Sequence, residues 1–257
     1  MKYKFDLENK VAVITGAAGS IGEQVAIGFL ENGADVILID YNEAELIKKT
    51  ESLKKEFTDR KILCITADLT DVKAIEESGN KIKENFDRVD ILVNNAGTGK
   101  NIRSIDETQE SWDKVIDLNL TSTFFVSQMI AKNFMIPQRV GKIINMCSLS
   151  AILGIPNSVS YSASKGGVLQ LTKSLAAEWA RFNIQVNSVC PGFVDTPLIA
   201  ESKSDERWLG YVVMRNPMKR LAESEDIVGP TLFLASNFAS YITGTQIVVD
   251  GGFSCSG

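Results

Sequence analysis

The chain has 257 residues, of which 44% are hydrophobic, which is enough to bury the core of one α/β domain. Its net charge of -5 and pI near 5.0 exclude the basic surface that nucleic-acid binding requires, so no nucleic-acid partner is expected. The chain contains no histidine, which removes the usual general base and the commonest metal ligand, and no metal site is expected.

The first ten residues carry Lys2, Lys4, Asp6 and Glu8 without an apolar run, which is unlike a signal peptide. No later stretch reaches the roughly 18 apolar residues that a membrane span needs. The four cysteines form no Cys-x-x-Cys pair and are expected to be free thiols in a reducing compartment. These features predict a cytoplasmic protein that does not associate with membranes.

Short runs rich in Val, Ile and Leu alternate with longer segments of helical periodicity along the chain. The predicted strands are 10–15, 35–40, 61–66, 91–94, 142–146, 185–189 and 245–249, and the predicted helices are 24–30, 43–57, 72–85, 122–134, 162–180 and 226–235. Apolar strands separated by helices predict a parallel sheet covered on both faces. The expected fold is therefore α/β, with one Rossmann-type doubly wound parallel sheet in a three-layer α/β/α domain.

No internal repeat or linker divides the chain, so residues 1–257 are expected to form a single domain. One segment, about 195–220, lacks clear periodicity and contains Trp208 and Tyr211. Because ligands bind at the carboxyl ends of parallel strands, this segment after the sixth strand is expected to be a substrate lid.

A turn of small residues, Thr-Gly-Ala-Ala-Gly-Ser-Ile-Gly at 15–22, joins the first strand to the first helix. Such residues let backbone amides and a helix N-terminus approach a pyrophosphate, although glycines at these corners are also ordinary turn residues. Asp40 ends the second strand, where a carboxylate can accept hydrogen bonds from the adenosine ribose and repel a 2′-phosphate. Neither Ala17 nor Ala18 offers a cation, so NAD is expected rather than NADP.

Tyr161 and Lys165 are four residues apart at the start of a predicted helix, so their side chains project from one face. A phenol titrates near pH 10, and an ammonium about 4 Å away can supply roughly the 4 kcal/mol that makes it a base near neutrality. The pair predicts proton transfer, although such a pair on an exposed helix can also be simple packing. Ser148, near the end of the fifth strand, can hold a substrate oxygen or serve only in a turn.

Three motifs occur in a fixed order: the glycine turn, Asn-Asn-Ala-Gly at 94–97, and Tyr-Ser-Ala-Ser-Lys at 161–165. Together with a serine at 148, they resemble the short-chain dehydrogenase/reductase family over about residues 10–252. The chain departs from the family's usual turn pattern because Ser20 stands in place of the middle glycine. A serine there costs conformational freedom but can offer its hydroxyl to a phosphate.

The resemblance implies hydride transfer between a nicotinamide cofactor and a carbon bearing a hydroxyl or carbonyl, with Asn119 binding a water next to Lys165. It also implies that 68–69 flank the adenine, that 95–97 line the adenosine ribose and that 190–196 wrap the carboxamide, with Val194 and Thr196 as contacts. The implied assembly is a homotetramer formed through helices at 111–134 and 162–180 and the last strand.

The predicted site residues form two sets. The catalytic set is Asn119, Ser148, Tyr161 and Lys165. The cofactor-binding set shares Tyr161 and Lys165 and adds Gly16, Gly19, Ser20, Ile21, Gly22, Asp40, Asp68, Leu69, Asn95, Ala96, Gly97, Pro191, Gly192, Val194 and Thr196.

Substrate class follows only from resemblance. The stretches Ala-Ala-Glu-Trp-Ala at 176–180 and Val-Asp-Gly-Gly-Phe at 249–253 are similar to family members that act on sugar acids and polyols, such as gluconate 5-dehydrogenases. An alternative is a 3-oxoacyl-acyl-carrier-protein reductase, which mostly uses NADPH and often carries a basic residue in the glycine turn. A non-catalytic dinucleotide-binding sensor or scaffold is the alternative from another class.

Overall fold

The computed structural model describes residues 5–256, so Lys2 and Lys4 of the N-terminal segment discussed above lie outside the described residues. Seven strands form one sheet in the order β3-β2-β1-β4-β5-β6-β7, and every neighbouring pair is parallel. The strands are β1 Val11–Thr15, β2 Asp35–Asp40, β3 Ile62–Thr66, β4 Ile91–Asn94, β5 Gly141–Met146, β6 Ile184–Pro191 and β7 Gln246–Val249. The predicted doubly wound parallel sheet is confirmed.

Ten α-helices connect or follow these strands within the described chain. They are α1 Ser20–Glu31, α2 Glu43–Glu56, α3 Val72–Asn85, α4 Gln109–Ile116, α5 Ser122–Ile130, α6 Ile136–Gln138, α7 Val159–Trp179, α8 Ala200–Lys203, α9 Glu206–Arg215 and α10 Val228–Ala235. Two π-helical turns, Asp117–Thr121 and Ala131–Met135, join α4, α5 and α6 into one continuous helical segment. None of the helices in the described chain has the length and hydropathy that a bilayer crossing requires.

The core lies on both faces of the sheet because successive side chains of a strand point to opposite sides. In β1, Ala12 and Ile14 pack with α1, α2 and α10, whereas Val11 and Val13 pack with α3, α5 and α7. All four residues are at most 5% exposed. A strand that is apolar at every position is therefore the sequence signature of this central position in the sheet.

Two helices begin earlier than the periodicity predicts. Helix α1 begins at Ser20 rather than residue 24, and α7 begins at Val159 rather than residue 162. Their first turns mix small or polar residues with one aliphatic residue each, Ile21 and Val159, which is too little to form an apolar period although the backbone is helical. The segment without clear periodicity, 195–220, contains α8 and α9.

The strand order reverses direction at β1, which pairs with β2 on one side and β4 on the other. At such a switch point the connections leave the sheet on opposite faces and open a crevice at the carboxyl ends of the strands. The glycine turn follows β1 and residues 95–97 follow β4, so both predicted cofactor segments border this crevice.

One lysine in the sheet lacks a polar partner. The Lys142 ammonium in β5 has no hydrogen-bond acceptor among the described residues, and burial lowers the pKa of this lysine from 10.5 to about 8. Between pH 8 and 10.5 the unfolded chain holds this proton and the folded chain does not, so stability rises with pH across this window. The cost of burying the charge is thus fully present below pH 8.

We expect Lys142→Met to raise the free energy of unfolding at pH 7 by about 1–3 kcal/mol, because the substitution keeps the aliphatic chain and removes the charge. Urea unfolding at pH 7 and pH 10 measures this, and the gain should shrink at the higher pH. Lys81→Met, at an exposed position of α3, is the matched control and should change stability by less than about 0.5 kcal/mol. A destabilised K142M would contradict the assignment of an unfavourable charge.

Candidate active site

Thr15 and Asn95 tie the glycine turn to the segment after β4. The Thr15 hydroxyl accepts hydrogen bonds from the backbone amides of Asn95 at 3.0 Å and Ala96 at 3.1 Å. The Asn95 side-chain amide in turn donates to the carbonyls of Thr15 and Gly16, both at 3.1 Å. The two predicted cofactor segments are therefore held as one unit at the switch point.

The glycine turn is shaped by close backbone contacts. Gly16 has a φ of +64°, which favours glycine, and a Cβ at Gly22 would lie 2.2 Å from the Gly16 carbonyl oxygen. Gly19 caps α1 without a side-chain hydrogen bond, so the first amides of the helix have neither an intrahelical nor a capping side-chain acceptor. Ser20 is helical with no positive φ, which is why serine is tolerated there. The turn fits a pyrophosphate.

Asp40 is buried at the end of β2 and already has two backbone partners. Its carboxylate accepts hydrogen bonds from the amide of Ala18 at 3.0 Å and from the amide of Asn42 at 2.9 Å. Each carboxylate oxygen has a second lone pair, so the carboxylate can still accept hydrogen bonds from ribose hydroxyls. Asp40 therefore braces the glycine turn in addition to the role predicted for it, which sequence reasoning did not anticipate.

A cation that sequence reasoning missed also lies beside this turn. The Lys49 ammonium of α2 donates to the carbonyl of Ala18 at 2.8 Å and pairs with the Glu23 carboxylate at 2.7 Å. A cation therefore lies near the turn although residues 17 and 18 are both alanine. The Glu23 carboxylate compensates the charge of this ammonium.

Asp68 and Leu69 follow β3 at the same edge of the sheet. The Asp68 carboxylate accepts hydrogen bonds from the amide and hydroxyl of Thr70, at 2.9 and 2.8 Å, and Leu69 is buried. The amide of Ala67 donates to the Asp40 carbonyl at 3.0 Å. These residues therefore lie next to the Asp40 end of the crevice.

A cavity of about 610 Å³ opens at the carboxyl ends of the strands. Its walls include the predicted residues Ile21, Asn95, Gly97, Ser148, Tyr161, Lys165, Pro191, Gly192, Val194 and Thr196. The other predicted residues lie outside its walls: Gly16, Gly19, Ser20, Gly22, Asp40, Asp68, Leu69, Ala96 and Asn119. The predicted residues thus divide into those that line the cavity and those that lie behind or beside its walls.

Tyr161 lies in the first turn of α7 and faces Ser148, which follows β5. A hydrogen bond with the Ser148 side chain acts to lower the pKa of Tyr161, but burial outweighs it and raises that pKa above the usual 10. The Ser148 hydroxyl also accepts a hydrogen bond from the Ser150 amide at 3.1 Å, which fixes its position. The two side chains expected to handle the substrate oxygen are therefore neighbours.

The position of Lys165 differs from the expectation that its ammonium governs the pKa of Tyr161. Its ammonium donates to the Met146 carbonyl at 2.8 Å and lies 5.8 Å from the centre of the Tyr161 ring. It is not the dominant influence on the phenol, whose pKa is raised rather than lowered. Burial also lowers the pKa of Lys165 itself. The carbonyl at the end of β5, which spacing along α7 could not reveal, determines where the ammonium points.

Asn119 lies in the first π-helical turn and is completely buried. Its side chain accepts a hydrogen bond from the Thr98 amide at 2.8 Å and donates to the Thr98 carbonyl and the Ser164 hydroxyl, at 2.8 and 3.0 Å. A Cβ at Gly97 would lie 3.4 Å from the Lys165 ammonium and 3.3 Å from the Asn119 side-chain oxygen. Asn119 therefore anchors the segment after β4 close to Lys165, at a helix irregularity.

Two cysteines that are distant in sequence meet beside this group. Cys147 follows β5 and Cys190 lies in β6, and a hydrogen bond between the thiols lowers the pKa of Cys147 and raises that of Cys190. The Cys147 thiol lies 3.2 Å from the Lys165 carbonyl. All four cysteines are free, and the described part of the chain holds no cluster of potential metal ligands.

The segment 195–220 forms another wall of the cavity. Its contributing residues are Thr196, Leu198, Ile199, Ser202, Trp208, Tyr211, Val212 and Arg215. The Trp208 ring packs edge-on against Phe193, with centroids 5.4 Å apart, and Phe193 packs in the same way against Phe253 at 5.2 Å. Tertiary contacts thus attach α9 to the residues that follow β6 and β7.

Comparison with known proteins agrees with this geometry. A family model described as enoyl-(acyl carrier protein) reductase matches residues 16–254. The chain is 37% identical over 250 residues to 2-dehydro-3-deoxy-D-gluconate 5-dehydrogenase of Escherichia coli (strain K12), covering 97% of each chain. It is 39% identical over 249 residues to a 3-oxoacyl-[acyl-carrier-protein] reductase of Thermotoga maritima, covering 96% of this chain and 98% of the relative.

Among solved structures, a gluconate 5-dehydrogenase from Burkholderia cenocepacia J2315 in complex with NADP and tartrate superposes with a TM-score of 0.94. The two chains are 30% identical, and the match covers 98% of each. Sequence similarity over nearly the whole length thus accompanies the same overall fold. The chain belongs to the short-chain dehydrogenase/reductase family and is an oxidoreductase that acts on CH–OH groups.

Proposed function

We propose that this enzyme interconverts a secondary alcohol and a ketone on a sugar acid or polyol, with NAD as the cofactor and Tyr161 as acid and base. The observation that carries the proposal is that Ser148, Tyr161 and Lys165 meet in one cavity whose walls contain no aspartate or glutamate. Since the chain has no histidine, the phenol is the best-placed proton carrier beside the Ser148 hydroxyl.

The residues present fit a nicotinamide dinucleotide, which when bound supplies the hydride acceptor or donor. The amides at the start of α1 would hold the pyrophosphate, Asp40 the adenosine ribose and Lys165 the nicotinamide ribose. Val194 and Thr196 would hold the carboxamide. In the Burkholderia cenocepacia relative the cofactor is NADP, and the buried Asp40 carboxylate is the feature that favours NAD in this chain.

In the oxidative direction, the Ser148 hydroxyl holds the substrate oxygen and ionised Tyr161 removes the hydroxyl proton, while the carbon loses hydride. The substrate becomes a ketone, and the two electrons leave with the hydride. Reduction reverses each step, with neutral Tyr161 returning the proton. Lys165, held by the Met146 carbonyl, places a positive charge near the phenol and favours its ionised form.

The substrate class rests on the relatives named above, one of which acts on 2-dehydro-3-deoxy-D-gluconate. The second candidate is a 3-oxoacyl-[acyl-carrier-protein] reductase, favoured by the 39% identity to the Thermotoga maritima protein. NADH-linked absorbance with sugar acids, polyols and a 3-oxoacyl thioester separates the two. We expect turnover of a sugar acid or polyol with NAD⁺; exclusive NADPH-dependent reduction of the thioester would favour the second candidate.

The segment 195–220 is proposed to act as the substrate lid, since α9 contributes to the cavity wall. The homotetramer and the cytoplasmic location implied by the resemblance and the composition stay predictions. Sedimentation velocity tests the assembly, and a monomer at assay concentration would contradict the tetramer.

A further inference from the structure

The charged side chains that face the cavity are all positive. Lys100, Lys165 and Arg215 line it, and the wall contains neither aspartate nor glutamate. A cleft lined by charges of one sign concentrates ligands of the opposite sign. Lys165 belongs with Ser148 and Tyr161 to the proposed reaction group. Lys100 and Arg215 are therefore the two cations with no role in the chemistry described above.

Arg215 is the more firmly positioned of these two cations. Its guanidinium lies 4.6 Å from the centre of the Phe253 ring and donates a hydrogen bond to the Tyr211 hydroxyl at 2.8 Å. Phe253 is only 2% exposed and is itself wedged against Phe193. The aromatic ring and the hydroxyl together orient the guanidinium plane at the cavity wall.

The Arg215 guanidinium has unused hydrogen-bond donors. A guanidinium has five N–H groups in a planar fork, and the described structure assigns one bond of Arg215 to Tyr211 and no ion pair. Arg60, Arg88, Arg103 and Arg220 are paired with carboxylates of the protein. Among the arginines without an ion pair in the described structure, only Arg215 lines the cavity. An arginine that faces a cavity with unused donors is suited to bind a carboxylate in bidentate fashion.

We propose that Arg215 binds the carboxylate of a hydroxy-acid substrate and selects such acids over neutral polyols. This inference rests on the proposed function, because it assumes that the carbinol of the same molecule lies at Ser148 and Tyr161. Arg215 supplies binding and orientation, and the proton and hydride transfers remain with the reaction group. The acid therefore gains an anchor at α9 that a polyol of the same carbon skeleton lacks.

The test compares D-gluconate with D-glucitol, which differ at one end by a carboxylate, in wild type and Arg215→Gln. We expect R215Q to lower the acid-to-polyol ratio of kcat/KM by about 10- to 100-fold, mainly through a higher KM for gluconate. Arg207→Gln is the matched control, because Arg207 is on the same helix but outside the cavity wall, and the ratio should stay within about twofold.

An unchanged ratio in an active, folded R215Q overturns the assignment of Arg215 and leaves the proposed function intact. A wild type that turns over neither compound, nor any other sugar acid or polyol, overturns the proposed function itself. Arg215→Lys keeps the charge without the fork and should show an intermediate ratio. If circular dichroism shows R215Q to be unfolded, a wild-type ratio in R215K overturns the bidentate contact.

Discussion

Replacing Tyr161 with phenylalanine is expected to lower kcat/KM by about 10³-fold or more in both directions, with the fold retained. A positioned acid or base typically contributes 10²- to 10⁴-fold, and the cavity wall offers no carboxylate or imidazole as a substitute. NADH-linked absorbance under saturating cofactor measures the loss. Isothermal titration with NAD⁺ shows whether binding survives.

Tyr241→Phe is the control for this substitution, because Tyr241 is fully exposed and lies outside the cavity wall. It should leave kcat/KM within about twofold of wild type. Equal activity in wild type and Y161F would remove Tyr161 from the mechanism. That result would favour the alternative interpretation, in which the Tyr-Lys pair serves only in packing.

The pH dependence follows from the raised pKa of Tyr161. Oxidation needs the ionised phenol, so its kcat/KM should increase with pH through the neutral and alkaline range. Reduction needs the neutral phenol and should hold its rate near neutrality. Profiles of kcat/KM in both directions test this, and an oxidation rate that falls between pH 7 and 9 in a folded enzyme would contradict the assignment.

Asp40→Asn is expected to lower the preference for NAD⁺ over NADP⁺, as a ratio of kcat/KM, by about 10- to 100-fold. The reason is the loss of a charge that accepts hydrogen bonds from ribose hydroxyls and repels a 2′-phosphate. The amides of Ala18 and Asn42 donate to different oxygens of Asp40, so asparagine can keep one of these hydrogen bonds, whereas alanine would leave both amides unpaired. Asn is therefore the cleaner substitution.

Calorimetric affinities for NAD⁺ and NADP⁺ provide a measurement that does not depend on turnover. Glu43→Gln removes the same charge three residues later, at an exposed position in the first turn of α2, and should change the ratio by less than about threefold. A wild type that binds NADP⁺ more tightly than NAD⁺ would contradict the assignment of Asp40. The compensated Lys49–Glu23 pair would then be the next feature to vary.

Local sequence was sufficient to predict the fold. Runs that are apolar at every position, such as 11–14, are typical of central strands of a sheet buried on both faces, and intervening helices favour parallel pairing. The sequence also placed Tyr161 and Lys165 on one face of a helix, since side-chain direction in a helix follows from spacing. Periodicity failed at the first turns of α1 and α7, where small and polar residues interrupt the apolar pattern and leave only Ile21 and Val159 as aliphatic residues.

The amino-acid sequence by itself thus determined the order of the elements, the glycine turn and the placement of Tyr161 and Lys165 on one helix face, because these depend on contacts between near neighbours. Only the tertiary structure decided where the Lys165 ammonium points, that Asp40 braces the turn, and that Arg215 faces the cavity with unused donors. Each of these depends on a partner from a distant segment. Such partners meet only once the sheet has brought its carboxyl edge together, and spacing along the chain carries no record of them.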